Sequence, residues 1–242
     1  GTEHTLVATG NSVIGDVNAM SHDGNLVLTS NTSVSDGLGS IAFRYDSSSN
    51  SYVQEGLVGF QNPHGSSNGH VLSGDGTVAY EFISGTSTGP LGTNGLRRHY
   101  NNLGSGNFFL DSDGVNVAHA QSVGVNADGS VVVVAWNNSS HTNSKIQVYR
   151  YSGTSGSGSH TFDAGIASST GNEKIIVDFV SPDGNNVLLR FFESGTRNET
   201  FLYQYDTSST TWSNTGITGR PNNSTMVSNN LLLRTDTIIK IT

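Results

Sequence analysis

Short apolar runs recur along the chain, and in four places a polar turn containing Asp-Gly separates two of them. The segments read Ala19-Met-Ser-His-Asp-Gly-Asn-Leu-Val-Leu, Val71-Leu-Ser-Gly-Asp-Gly-Thr-Val-Ala-Tyr, Val125-Asn-Ala-Asp-Gly-Ser-Val-Val-Val-Val and Val180-Ser-Pro-Asp-Gly-Asn-Asn-Val-Leu-Leu. Glycine readily takes the positive φ of a tight turn and aspartate can bond nearby amides, so each segment predicts a β-hairpin. A third strand is expected after a polar loop, at Ile41-Ala-Phe-Arg-Tyr, Gly95-Leu-Arg-Arg-His-Tyr, Ile146-Gln-Val-Tyr-Arg-Tyr and Thr200-Phe-Leu-Tyr-Gln-Tyr. Its alternation of polar and apolar residues suits one partly solvated face. A weaker fourth strand follows, as at Tyr52-Val-Gln-Glu and Thr211-Trp-Ser-Asn.

The turn aspartates stand at 23, 75, 128 and 183, so the pattern repeats in steps of 52, 53 and 55 residues. A shortened fifth copy begins at Met226-Val-Ser-Asn-Asn-Leu-Leu-Leu and ends with Ile238-Ile-Lys-Ile. Four strands in about 50 residues is the rhythm of a propeller blade. The chain is therefore expected to be all-β: one five-bladed β-propeller domain over 1–242, with four-stranded antiparallel blades near 16–61, 68–113, 119–165, 174–218, and 223–242 plus 1–10. The last copy lacks an outer strand, and His4-Thr-Leu-Val-Ala-Thr-Gly offers a spare one. Pairing it with the final strand would close the ring and cover two strand edges, so that deleting residues 1–9 would destabilise the whole ring.

Composition supports strands over helices. Thirty glycines, abundant Ser, Thr and Asn, and only 12% charged residues favour turns and disfavour helix interiors. The net charge of −8, with Arg97-Arg98 the longest basic run, argues against nucleic acid as a partner. No apolar stretch approaches the ~20 residues that span a bilayer, so no membrane insertion is expected. The chain has no Cys, which removes disulfides, Cys-ligated zinc and thiol catalysis without fixing a compartment.

The repeat resembles propeller families whose blades carry a Ser-X-Asp-Gly hairpin and a Tyr-rich third strand. It is most similar to FG-GAP-like repeats, through Ser122-Val-Gly-Val-Asn-Ala-Asp-Gly-Ser130 and Val148-Tyr-Arg-Tyr. The likeness covers all five units and concerns a packing motif, not a ligand. The expected five-bladed architecture is also similar to that of the tachylectin-type lectins, which implies sugar binding. The repeat, the acidic charge and the lack of a catalytic constellation lead to the expectation of an extracellular, cell-surface or virion-surface location.

In propellers the first strand of each blade lines a central channel, and ligands meet the face where those strands begin. The residues expected at this entrance are Asp16, Asn18, Asn68, His70, Gln121, Asp178, Asn223 and Thr225, above apolar layers that include Met20, Leu72 and Val180. Amides and carboxylates offer the paired donors and acceptors that sugar hydroxyls use. Trp136, followed by Asn137-Asn-Ser-Ser-His, adds an aromatic face for stacking on a sugar ring. A glycosidase needs two converging carboxylates, and this ring offers only Asp16 and Asp178, because Asp23, Asp75, Asp128 and Asp183 have turns to hold. No catalytic residues, metal or cofactor are assigned. Asp111-Ser-Asp-Gly-Val-Asn116 departs from calcium-loop spacing and reads as a turn.

The resulting expectation is a non-enzymatic recognition module that binds a glycan or a surface protein. The alternatives are a structural subunit of a virion appendage, capsid decoration or filament, binding copies of itself or other subunits, and a glycoside hydrolase-like propeller.

Overall fold

The computed structural model describes residues 5–7, 14–31, 40–58, 67–83, 95–101, 108–117, 120–137, 144–169, 173–193, 197–219, 224–228, 231–234 and 238–240. All regular structure in them is β-strand. The chain divides into two compact units, Gly1–Val117 with Gly153–Ser159, and Ala118–Ser152 with His160–Thr242.

In the first unit, β1 (Leu6–Val7), β2 (Ile14–Met20), β3 (Leu26–Asn31), β4 (Ser40–Asp46) and β5 (Ser51–Val58) form one sheet in the order β1-β5-β4-β3-β2. A second sheet runs β6 (Ser67–Leu72), β7 (Val78–Ile83), β8 (Gly95–Asn101) and β9 (Phe108–Asn116) in chain order. The second unit holds β10 (Ala120–Val125), β11 (Val131–Asn137), β12 (Ser144–Ser152) and β13 (Ser159–Ser168), then β14 (Lys174–Val180), β15 (Asn186–Glu193), β16 (Arg197–Asp206) and β17 (Thr211–Gly219), again as chain-order meanders. The last sheet, β18 (Ser224–Ser228), β19 (Leu231–Arg234) and β20 (Ile238–Lys240), has three strands among the described residues. Four sheets thus carry the full antiparallel meander, where five complete blades were expected.

The Ser-X-Asp-Gly motif is a closed hydrogen-bond network. In the first turn the Ser21 hydroxyl donates to Asp23 Oδ1 at 2.6 Å, the Asn25 amide donates to the same oxygen at 2.9 Å, and the Leu26 amide donates to Ser21 Oγ at 2.9 Å. Ser73, Asp75 and Val78 repeat it, as do Ser181, Asp183 and Asn186, while Asn126 takes the serine's place beside Asp128. The following glycine lies at φ +72 to +74 in all four turns, a left-handed conformation that a β-carbon would strain.

Among the described residues the N-terminal strand joins the first sheet, and the expected pairing with the last strand is not seen. β1 pairs in parallel with β5, Leu6 against Tyr52 and Val7 against Val53, and the Tyr52 amide donates to the Thr5 carbonyl at 3.0 Å. A strand of two residues carries too little pattern to choose its partner; either open edge would satisfy its backbone groups, and the edge it meets in space wins.

Leu26, Leu28, Ala42, Leu72, Ala79 and Phe108 join the two sheets of the first unit in one core. Val133, Ile146, Val148, Ile175, Val177, Leu189 and Phe191 do the same for β10–β13 and β14–β17. There Gly124 is required by close approach, since a β-carbon on it would stand 2.7 Å from methyl carbons of both Val177 and Val180. Leu72 and Val180 are buried as expected, but Met20 is 57% exposed. The third strand also varies. β12 alternates buried with more exposed positions, whereas Gly95–His99 of β8 are buried on both faces.

Candidate functional site

Among the expected entrance residues whose side chains are described, His70 is the one the structure builds into a cluster of polar groups. It lies on β6, 4% exposed, with Nδ1 2.7 Å from Ser40 Oγ. Burial lowers its pKa to about 4, with His99 adding to the effect and the Glu81 carboxylate opposing it. His70 is therefore a neutral, enclosed side chain near pH 7. Asp16 and Asn18 fall on β2, Asn68 on β6 and Thr225 on β18; Asn223 lies outside the described residues.

The remaining candidates belong to the second unit. Gln121 is exposed on β10. Asp178 sits where β14 bulges between Val177 and Phe179, and its carboxylate pairs with Arg190 at 2.9 Å. Burial raises its pKa, against the pull of Arg190. Trp136 is half-buried at the end of β11, and Lys145 Nζ lies over its ring, 5.4 Å from the centroid. That cation lies over one face of the ring on which a sugar was expected to stack.

Sequence reasoning missed the polar residues around His70. In register across the second sheet stand His70, Glu81 and Arg97, on β6, β7 and β8. Glu81 Oε2 lies 3.2 Å from His99 Nε2, and each of these two residues is 1% exposed. Arg97, His99 and Asn101 alternate along β8, so they share one face, and all three are buried. The signal was present in Gly95-Leu-Arg-Arg-His-Tyr-Asn, where polar residues recur at every second position. It read as a solvated face because burial was assumed to follow hydrophobicity.

On the opposite face Arg98 Nη1 pairs with Asp111 Oδ2 at 2.7 Å, both side chains buried, and the Gly156 amide donates to that oxygen at 3.2 Å. The segment expected to be a turn, 111–116, is instead part of β9, which bulges between the Arg97–Gly114 and His99–Leu110 pairs. Among the described residues no three His, Cys, Asp or Glu side chains are placed to hold a metal ion, and no helix is long and apolar enough to cross a membrane.

No family model matches the chain and no curated protein matches it in sequence. Among solved structures it is similar to a functionally unknown protein of Desulfotomaculum acetoxidans, at 15% identity and TM-score 0.52, over 85% of this chain and 56% of that one. It is similar to the periplasmic gluconolactonase of Pseudomonas aeruginosa, at 13% identity and TM-score 0.53, over 90% and 61%. It is also similar to prolyl oligopeptidase B of Galerina marginata, at 11% identity and TM-score 0.56, over 91% and 32%. The chain thus spans roughly three fifths or less of each protein's length.

The likeness shows an all-β fold of propeller type. It also overturns the expectation that the chain is no enzyme, since propellers of this fold include a gluconolactonase and a prolyl oligopeptidase. That expectation weighed the carboxylates of the first-strand ring and of the hairpin turns, and Glu81, on a second strand, belongs to neither.

Proposed function

We propose that the chain is a hydrolytic propeller whose acid–base pair is Glu81–His99, acting on a hydroxyl-rich sugar derivative for which a sugar lactone is the leading chemical class. The observation that carries this reading is the Glu81–His99 contact at 3.2 Å with both side chains 1% exposed. A carboxylate on one ring nitrogen fixes the imidazole's orientation and tautomer, leaving the other nitrogen to take a proton from water. The resulting hydroxide equivalent adds to the lactone carbonyl, the acyl–oxygen bond of the ring breaks, and the departing ring oxygen takes up the proton. One water is consumed and one hydroxy acid is formed.

Two facts support a lactone over a glycosidic bond. The gluconolactonase that shares the fold acts on that class by name. In addition, the described residues give the buried Glu81 a histidine partner, whereas glycosidic cleavage usually employs two carboxylates. The sugar-like ligand expected from the sequence is kept, moved from the first-strand ring to this cluster, and export or surface display remains the proposed setting.

The test is the hydrolysis of glucono-1,5-lactone by the purified chain, followed in a pH-stat against the spontaneous rate. Acceleration that falls at least a hundredfold in both Glu81→Gln and His99→Asn is expected. A wild-type chain that adds nothing to the spontaneous rate of this and of other sugar lactones would refute the reading.

A further inference from the structure

Arg97 stands beside the Glu81–His99 pair but does not share in its contact. It is 8% exposed, its Nε is buried without a hydrogen-bond partner, and no carboxylate among the described residues forms an ion pair with it. Glu81 is its register neighbour but spends Oε2 on His99. Asn101, on the same face of β8, is buried with neither its amide nitrogen nor its amide oxygen partnered, and His70 Nε2 is also unpartnered.

A guanidinium stays charged at any ordinary pH, and burying it without a counter-charge opposes folding. A buried group left in that state calls for a partner that the described residues do not supply. The planar fork of arginine matches the paired oxygens of a carboxylate or phosphate. Asn101 is four residues further on, about 13 Å along a strand, so an extended, hydroxyl-bearing anion is needed to engage both groups.

We propose that Arg97 binds an anionic oxygen group, carboxylate or phosphate, of a polyhydroxylated ligand whose hydroxyls reach Asn101. The substrate class of the proposed hydrolase is then an acidic sugar derivative. Its placement beside Glu81–His99 rests on that hydrolase reading, but anion binding is measured without turnover.

The experiment is calorimetric titration of the whole chain with gluconate, glucose 6-phosphate, inorganic phosphate and glucose. Gluconate or glucose 6-phosphate is expected to bind at least tenfold more tightly than glucose, and whichever is tighter identifies the anion as carboxylate or phosphate. Arg97→Met should weaken that ligand at least tenfold, with Arg97→Lys between it and wild type. Asn101→Ala should weaken the sugar anion severalfold while leaving inorganic phosphate unchanged. Without ligand, Arg97→Met should melt no lower than wild type, because it removes an uncompensated charge. Should Arg97→Met not fold, Arg97→Lys and the wild-type ligand series decide the matter.

The proposal is overturned if no anion binds the wild-type chain, which would leave buried water as the partner of Arg97, if glucose binds as tightly as the anions, or if Arg97→Met binds them undiminished. Anion binding without lactone hydrolysis would sink the hydrolase reading alone. Hydrolysis without anion selectivity would sink this one alone.

Discussion

Replacing His70 by glutamine should remove most of the acid sensitivity of this protein between pH 7 and pH 4.5. The side chain is buried against Ser40, and its folded pKa of about 4 lies below the ordinary 6.5. Between those values the unfolded chain takes up a proton that the folded chain refuses, so this group's contribution is full above pH 6.5 and is lost as pH falls toward 4. The whole shift is worth about 3 kcal/mol, and roughly 2.5 kcal/mol of it is gone by about pH 4.5. Asp23 and Asp206 do not confuse the window. Hydrogen bonds from Ser21 and Asn25 lower the pKa of Asp23, and those from Ser208 and Ser209 hold that of Asp206 at about 2, so these carboxylates act only at lower pH. Urea denaturation of wild type and His70→Gln at several pH values gives the difference, because titrating groups that do not interact with His70 cancel between the two proteins and only Glu81 and His99, which feel its charge, add to it. A glutamine variant whose stability falls as steeply as wild type over this range would show that His70 is not buried in its neutral form.

Two more structural predictions follow from packing and pairing. Gly124→Ala should lower stability by about 1–3 kcal/mol, because the new methyl would meet Val177 and Val180; a melting temperature equal to wild type would refute that packing. Removing residues 1–9 should accelerate hydrogen exchange at the Tyr52 amide, which donates to Thr5, while amides of β19 and β20 keep their protection. Loss of protection in β19 and β20 instead would restore the ring closure expected from the sequence.

The strands and turns were legible in the sequence because their causes are local. Asp23-Gly24 and its three counterparts sit within a few residues of everything they bond, so the motif could be read without knowing the fold. Leu26–Leu28 and Val131–Ala135 are continuous apolar runs beside those turns and are buried throughout. The polar site was not legible by the same reasoning. His70, Glu81 and His99 are distant in sequence, and nothing in Val78-Ala-Tyr-Glu-Phe-Ile says that its glutamate faces a histidine rather than water. Trp136 is legible as an aromatic at a strand end before a polar loop, but Lys145 reaches its face only through the register of β11 with β12.

What the sequence determined by itself was the repeat, the four hairpin turns and the all-β class, since each follows from backbone geometry and from side chains that bond within their own turn. The tertiary structure alone decided where β1 pairs and which charged residues are buried together. Pairing at a sheet edge depends on which edge is near, and a polar residue's environment depends on what is packed over it. Leu6 and Val7 could serve any edge, and Arg97 could have pointed into solvent. In the folded chain the former covers β5 and the latter is enclosed beside Glu81 and His99.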